Sequence, residues 1–212
     1  MTSSPAKATA KLMAAIACLM PLVPVLLWPG MGVLASIALT AIGLAFFKSS
    51  RKPTLAMVWK NRIVSILVGI AVGAGLAWGI ANGVRPFVEE WFGKGVDIGG
   101  LDQVAGNPMF FAITLAIALG SAILEEVIFR GYVVGWGAQI FGKGFAPLLM
   151  VLSTAVFGWA HLDYGASGAI VTGFAGLVLG TLYLLCGRRL LPSICAHLTF
   201  NLIGSLALYL AT

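Results

Sequence analysis

Charge is what this sequence has least of. Only 9% of its 212 residues are Asp, Glu, Lys or Arg, against about 25% in an ordinary soluble domain. Hydrophobic residues make up 60%, and the mean hydropathy is +1.02. A soluble fold of this size leaves too much surface wet to hide that much apolar area. The same composition excludes disorder, which needs low hydrophobicity and high net charge. Cysteine is scarce too: Cys18, Cys186 and Cys195 sit in apolar runs with no CxxC spacing. That argues against a disulfide framework or a structural zinc site. What remains is an integral membrane protein built as one domain. Its expected fold class is all-α, a polytopic helix bundle with a polar intramembrane cavity.

A spanning helix needs about 20 apolar residues, and about seven candidates can be drawn on that basis. They are residues 12–28, 31–47, 63–82, a span starting near Pro108 and running past Gly120, then 145–162, 167–186 and 190–210. Pro29-Gly30 breaks the first from the second. The first run resembles a signal peptide but lacks a convincing small-residue cleavage site, so a retained span is expected. Gly69, Gly73, Gly75 and Gly79 in the third are spaced to let helices approach closely. Residues 83–107 are the longest polar stretch, and 131–144 read as an interfacial connection carrying Trp136 and Lys143.

The charges sort by loop. Lys7, Lys11, Lys48, Arg51, Lys52, Lys60, Arg62, Lys143, Arg188 and Arg189 fall on alternate loops with no Asp or Glu among them. The opposite loops hold Arg85 and Lys94 against Glu89, Glu90, Asp97, Asp102 and Asp163. The positive-inside rule then places the N-terminus in the cytoplasm and the C-terminus outside. The net charge of +6 is topological and does not point to nucleic acid. The expected location is a multi-pass protein of a prokaryotic cytoplasmic membrane.

Three charges fit no loop: Glu125, Glu126 and Arg130. Both histidines of the chain, His161 and His197, also lie within or beside spans. A charged residue at a span centre costs about 2.5–3.5 kcal/mol on insertion scales, so three in one helix need a reason. The plain reading is that the fourth span ends at the membrane surface near Leu124. Against it stands the pattern. Glu126 and Arg130, four apart, can pair on one helix face, while Glu125 lies about 100° away. Phe157-x-x-x-His161 and His197-x-x-x-Asn201 each stack two residues on one face.

Glu125-Glu126-x-x-x-Arg130, Phe157-x-x-x-His161 and His197-x-x-x-Asn201 together resemble the three ordered motifs of the CPBP family, the CAAX-protease and bacteriocin-processing (Abi) intramembrane proteases. The resemblance covers about residues 108–210. It divides the chain into N-terminal membrane helices with an extracytoplasmic loop, 1–107, and catalytic helices, 108–212. It implies an intramembrane endopeptidase acting on a membrane-associated peptide or protein, by precursor processing, CAAX-type cleavage or removal of a C-terminal sorting tail. In that reading Glu125 is the general base and His161 holds the water. His197 and Asn201 donate to the oxyanion. Glu126 and Arg130 are a supporting pair, and Phe157 is packing. No cofactor is expected, with zinc on Glu125, His161 and His197 as the alternative; there is no HExxH, and Asn is a poor zinc ligand. Ser121 and Ser193 lack a nucleophile elbow. A proton-coupled transporter or a bacteriocin-immunity protein is the non-enzymatic alternative, since intramembrane Glu and His also build proton relays. By simple counting His161 lies about 10 Å nearer the outer face than Glu125, a mismatch any shared site has to overcome.

Overall fold

The computed structural model describes residues 5–211. They form helices and connecting turns, with no strand among the described residues. In chain order the helices are α1 (Pro5–Leu19), α2 (Leu22–Leu27), α3 (Gly32–Phe46) and α4 (Lys48–Thr54). Then come α5 (Arg62–Phe92), α6 (Pro108–Ile140), α7 (Lys143–Trp159), α8 (Leu162–Leu185) and α9 (Leu190–Leu210).

Four of these, α5, α6, α8 and α9, are long and apolar enough to cross a membrane. A fifth is reached if α3 and α4, bent by 118° at Phe47, count as one broken span. This falls short of the seven runs drawn from hydropathy, and local chemistry explains the difference. The run 12–28 contains Pro21 and Pro24, and the helix there breaks into α1 and the six-residue α2. Proline lacks the N–H that would continue the ladder and crowds the preceding turn. α3 has only 15 residues, and α7 is apolar but short.

The long helices begin where the sequence supplies caps. Asn61 accepts from Val64 N at 2.9 Å to open α5. Asn107 accepts from Met109 N and Phe110 N at 3.1 and 3.2 Å to open α6, with Pro108 in its first turn. Gly93, at φ +64, follows α5 in the left-handed conformation. α5 lies directly on α9. A Cβ on Gly69 would strike Cys195 and the Pro192 carbonyl, and one on Gly73 would strike the Ala196 carbonyl. Gly75 and Gly79 face open space, so two of the four glycines of the small-residue stripe make the close approach.

α6 is the helix that departs most from expectation. Residues 131–144 are not an interfacial connection. α6 continues as far as Ile140, as a π-helix over Glu126–Trp136, and only 141–142 form a turn before α7; every residue from Ile128 to Ala138 is buried. Trp136, expected at the interface, is 1% exposed. Gly131 and Gly135 let the Thr54 and Pro53 carbonyls at the end of α4 press against this segment. Ser153 of α7 donates to the Phe129 carbonyl at 2.8 Å. The half of α6 that hydropathy ranks least apolar is therefore the centre of the molecule, ringed by α1, α3, α4, α7 and α9.

The polar stretch 93–107 folds over one end of the bundle. Asp97 N donates to Tyr164 O at 3.0 Å and Gly106 N to Tyr209 O at 2.9 Å. Ser167 Oγ donates to Lys94 O at 2.8 Å. The basic turn Gly187–Arg189, which joins α8 to α9, lies at the opposite end of those two helices.

Candidate active site

Glu125 is the last residue of the α-helical part of α6, and Glu126 is the first of its π-helical part. Such a change of pitch inside a helix is frequent at functional sites. Here it sends two consecutive carboxylates to one imidazole. Glu126 Oε1 lies 3.1 Å from His197 Nδ1, and Glu125 Oε2 lies 3.8 Å from His197 Nε2. The sequence reading kept Glu125 apart from the Glu126–Arg130 pair; in the structure His197 of α9 bridges them.

Glu126 is wholly buried and pairs with Arg130 Nη1 at 3.2 Å. Arg130 Nη2 donates to Gly176 O of α8 at 2.8 Å, and its guanidinium lies 4.8 Å over the Phe157 ring. The position of Gly176 admits no side chain, because a Cβ there would crowd Phe157 and Arg130. A buried ion pair needs such extra partners to offset its desolvation. An ionised carboxylate can only accept, so His197 Nδ1–H donates to Glu126. His197 Nε2 is then the ring atom presented to Glu125.

His161 lies beyond the end of α7. Its Nδ1 donates to Phe157 O at 2.8 Å, capping one of the carbonyls a helix C-terminus leaves open, which leaves Nε2 as an acceptor. The ring stands 4.8 Å from Phe157 and stacks at 6.0 Å on Tyr164. Phe157 also meets His197 edge-on at 5.9 Å and Phe129 at 5.3 Å. It is the aromatic partition between both histidines and the buried Arg130, which agrees with a packing role. Asn201 Nδ2 donates to Ala118 O of α6 at 2.9 Å, so one of its two amide hydrogens ties α9 to α6.

Glu125, His161, His197 and Asn201 line one cavity of about 400 Å³. The depth mismatch expected from counting does not separate them. Glu125 is mid-way along a 33-residue helix, not at its end, and α7 is short enough to set His161 beside the same space. The cavity extends from Glu125 past Gly204 and Leu208 to Leu101 in the polar stretch. Tyr164 and Thr172 also line it. Sequence reasoning missed both, although Tyr164 follows His161 by three residues, the spacing of neighbours on a turn. The zinc alternative fares differently. Glu125, His161 and His197 do not converge as a ligand set, and no group of three His, Cys, Asp or Glu placed to hold a metal ion occurs among the described residues.

No curated protein and no solved structure matches the chain. A family model described as "Type II CAAX prenyl endopeptidase Rce1-like" matches residues 107–203, the stretch that holds the carboxylates of α6, both histidines and Asn201. Residues 107–203 are a domain of the Rce1-like type II CAAX prenyl endopeptidase family, the CPBP or Abi group whose three motifs the sequence carries in order.

Proposed function

We propose that this protein is an intramembrane endopeptidase that hydrolyses a peptide bond of a membrane-associated protein with a water activated by Glu125. The observation that carries this reading is the base of the cavity, where Glu125 faces an imidazole already oriented by a buried, paired carboxylate. In the proposed reaction the water lies between the Glu125 carboxylate and His161 Nε2. Glu125 takes one proton as the oxygen attacks the scissile carbonyl. The remaining Asn201 amide hydrogen and His197, in this role protonated on both nitrogens, donate to the oxyanion. Glu125 then passes its proton to the leaving amine. Glu126, Arg130 and Gly176 hold the orientation of the His197 ring and the turn of α6 on which Glu125 stands.

The shape of the cavity bears on the substrate. Its walls rise toward Leu101, in the segment that carries Asp97 and Asp102, and away from the Arg188-Arg189 turn. With the basic loops cytoplasmic, the cavity opens on the outer half of the bilayer. Ile117 on its α6 wall is 66% exposed, which leaves a lateral path for an apolar peptide segment. These features support a C-terminal sorting tail of an exported, membrane-tethered protein over a cytoplasmic substrate.

Purified protein carrying Glu125→Gln should keep its thermal unfolding temperature and lose cleavage of a membrane-anchored peptide by at least 10²-fold. A chelator should leave wild-type cleavage unchanged. Full cleavage by Glu125→Gln would remove the general-base assignment. Proton-dependent solute flux without any cleavage would favour a transporter.

A further inference from the structure

A second cavity, of about 280 Å³, lies at the other end of the bundle and belongs to no step proposed above. Its charged lining is Lys52, Arg188 and Arg189, with no carboxylate among the described residues, and Gln139 supplies a neutral amide. None of the three cations makes an ion pair or a side-chain hydrogen bond among the described residues, whereas neighbouring Arg51 is spent on the Leu44 and Ala45 carbonyls.

The walls are locked together by backbone. Leu190 N donates to Ala56 O at 2.8 Å, Leu191 N to Met57 O at 3.0 Å and Arg188 N to Tyr183 O at 2.8 Å. Arg188 is held at φ +59, uncommon for a residue with a side chain. Behind Gly135, which lines the cavity, the Tyr183 hydroxyl is buried with no hydrogen-bond partner among the described residues. Arg188 and Arg189 connect two span-length helices, so the cavity sits at the membrane surface. Leu55 and Met57, on either side of the lining residue Ala56 in the chain, and Leu185, two residues before the lining Gly187, are exposed apolar side chains.

Converging unpaired cations select an anion, and arginine forks suit phosphate oxygens. The apolar banks select an anion that carries hydrocarbon. Basic pockets between spans at the cytoplasmic surface bind anionic head groups in this manner. We infer that Lys52, Arg188 and Arg189 form a binding site for the phosphate of an anionic phospholipid, with its acyl chains lying along Leu55, Met57 and Leu185.

The test uses the full chain in neutral detergent, with short-chain phosphatidylglycerol, phosphatidylcholine, inorganic phosphate and an oligo-glutamate peptide as separate probes. Binding is read by native mass spectrometry and by the shift in unfolding temperature. Phosphatidylglycerol should bind and raise the unfolding temperature, and the other three should not. Each of Lys52→Gln, Arg188→Gln and Arg189→Gln should weaken phosphatidylglycerol about fivefold, from about 1 kcal/mol per basic residue near an anionic surface. Gln139→Glu removes no native contact and should weaken binding at least as much, which keeps the test decisive if an arginine variant misfolds. Lys143→Gln, outside the cavity, should change nothing. Equal binding of phosphatidylcholine, a stronger effect of inorganic phosphate or oligo-glutamate, or undiminished lipid binding by Gln139→Glu would overturn the assignment.

Discussion

His197 has a carboxylate at each ring nitrogen, and the two carboxylates do different work. Glu126 is sealed against Arg130 with no exposure, whereas Glu125 lines the cavity. Adjacent, chemically identical residues should therefore fail in opposite ways. Glu125→Gln is the silent-for-stability variant described above. Glu126→Gln strands the Arg130 charge in the interior and should cost about 3–5 kcal/mol of stability, read by thermal unfolding in detergent. Asn201 separates along another axis. Asn201→Ala gives up a single hydrogen bond to Ala118, worth about 1 kcal/mol. As an oxyanion donor it should cost about 10²–10³ in kcat with little change in KM. Steady-state kinetics alongside an unfolding curve distinguish a lost tie between helices from a lost catalytic donor. Much of this was readable in advance. Glu126 and Arg130 sit four apart, and an intramembrane pair follows from spacing alone. The bridge through His197 did not follow, because it depends on a change of helical pitch at Glu126 that no residue spacing announces.

The helices α5 and α6 show where pattern reading succeeds and where it stops. In α5 the glycine stripe predicts close packing, but only Gly69 and Gly73 meet α9. Gly73→Leu would drive a side chain into the Ala196 backbone and should destabilise by about 1–3 kcal/mol. Gly75→Ala, facing open space, should be neutral or stabilising, since alanine favours helix by about 1 kcal/mol over glycine. Unfolding temperatures of the pair, measured in one detergent, give the comparison. A stripe records which residues are small, not which side of the helix a neighbour occupies. In α6 the residues after Glu125 look too polar and too rich in glycine for a span, and they turn out to be the most enclosed segment of the chain. Their glycines are openings for the α4 carbonyls and for Tyr183, and their charges are neutralised internally. Hydropathy scores each residue for contact with lipid, so it undervalues a helix that contacts only protein.

At the scale of the whole molecule the charges and the cavities are arranged along one axis. The polar segment 93–107 covers the end toward which the larger cavity extends, and Arg188, Arg189 and Lys52 gather at the other. Single cysteines at Asp102 and Lys143, in a background with Cys18, Cys186 and Cys195 replaced, should react with a membrane-impermeant thiol reagent from opposite faces. Asp102→Cys should be labelled in intact cells and Lys143→Cys only after lysis; the reverse pattern would turn the protein over and with it the side from which substrate arrives. The sequence by itself determined that the chain lives in a membrane, because 9% charge cannot cover a soluble surface. It determined which residues were out of place there, since a buried charge is costly wherever it falls, and it carried the motif order of its family. The tertiary structure decided how many helices are long enough to span, because proline breaks and bends act on geometry rather than on hydropathy. It also decided that one ring, His197, joins both carboxylates, that Asn201 holds two helices together, and that Lys52 of α4 shares one cavity with the distant Arg188-Arg189 turn. Those are matters of distance between segments, and distance is set only when the helices pack.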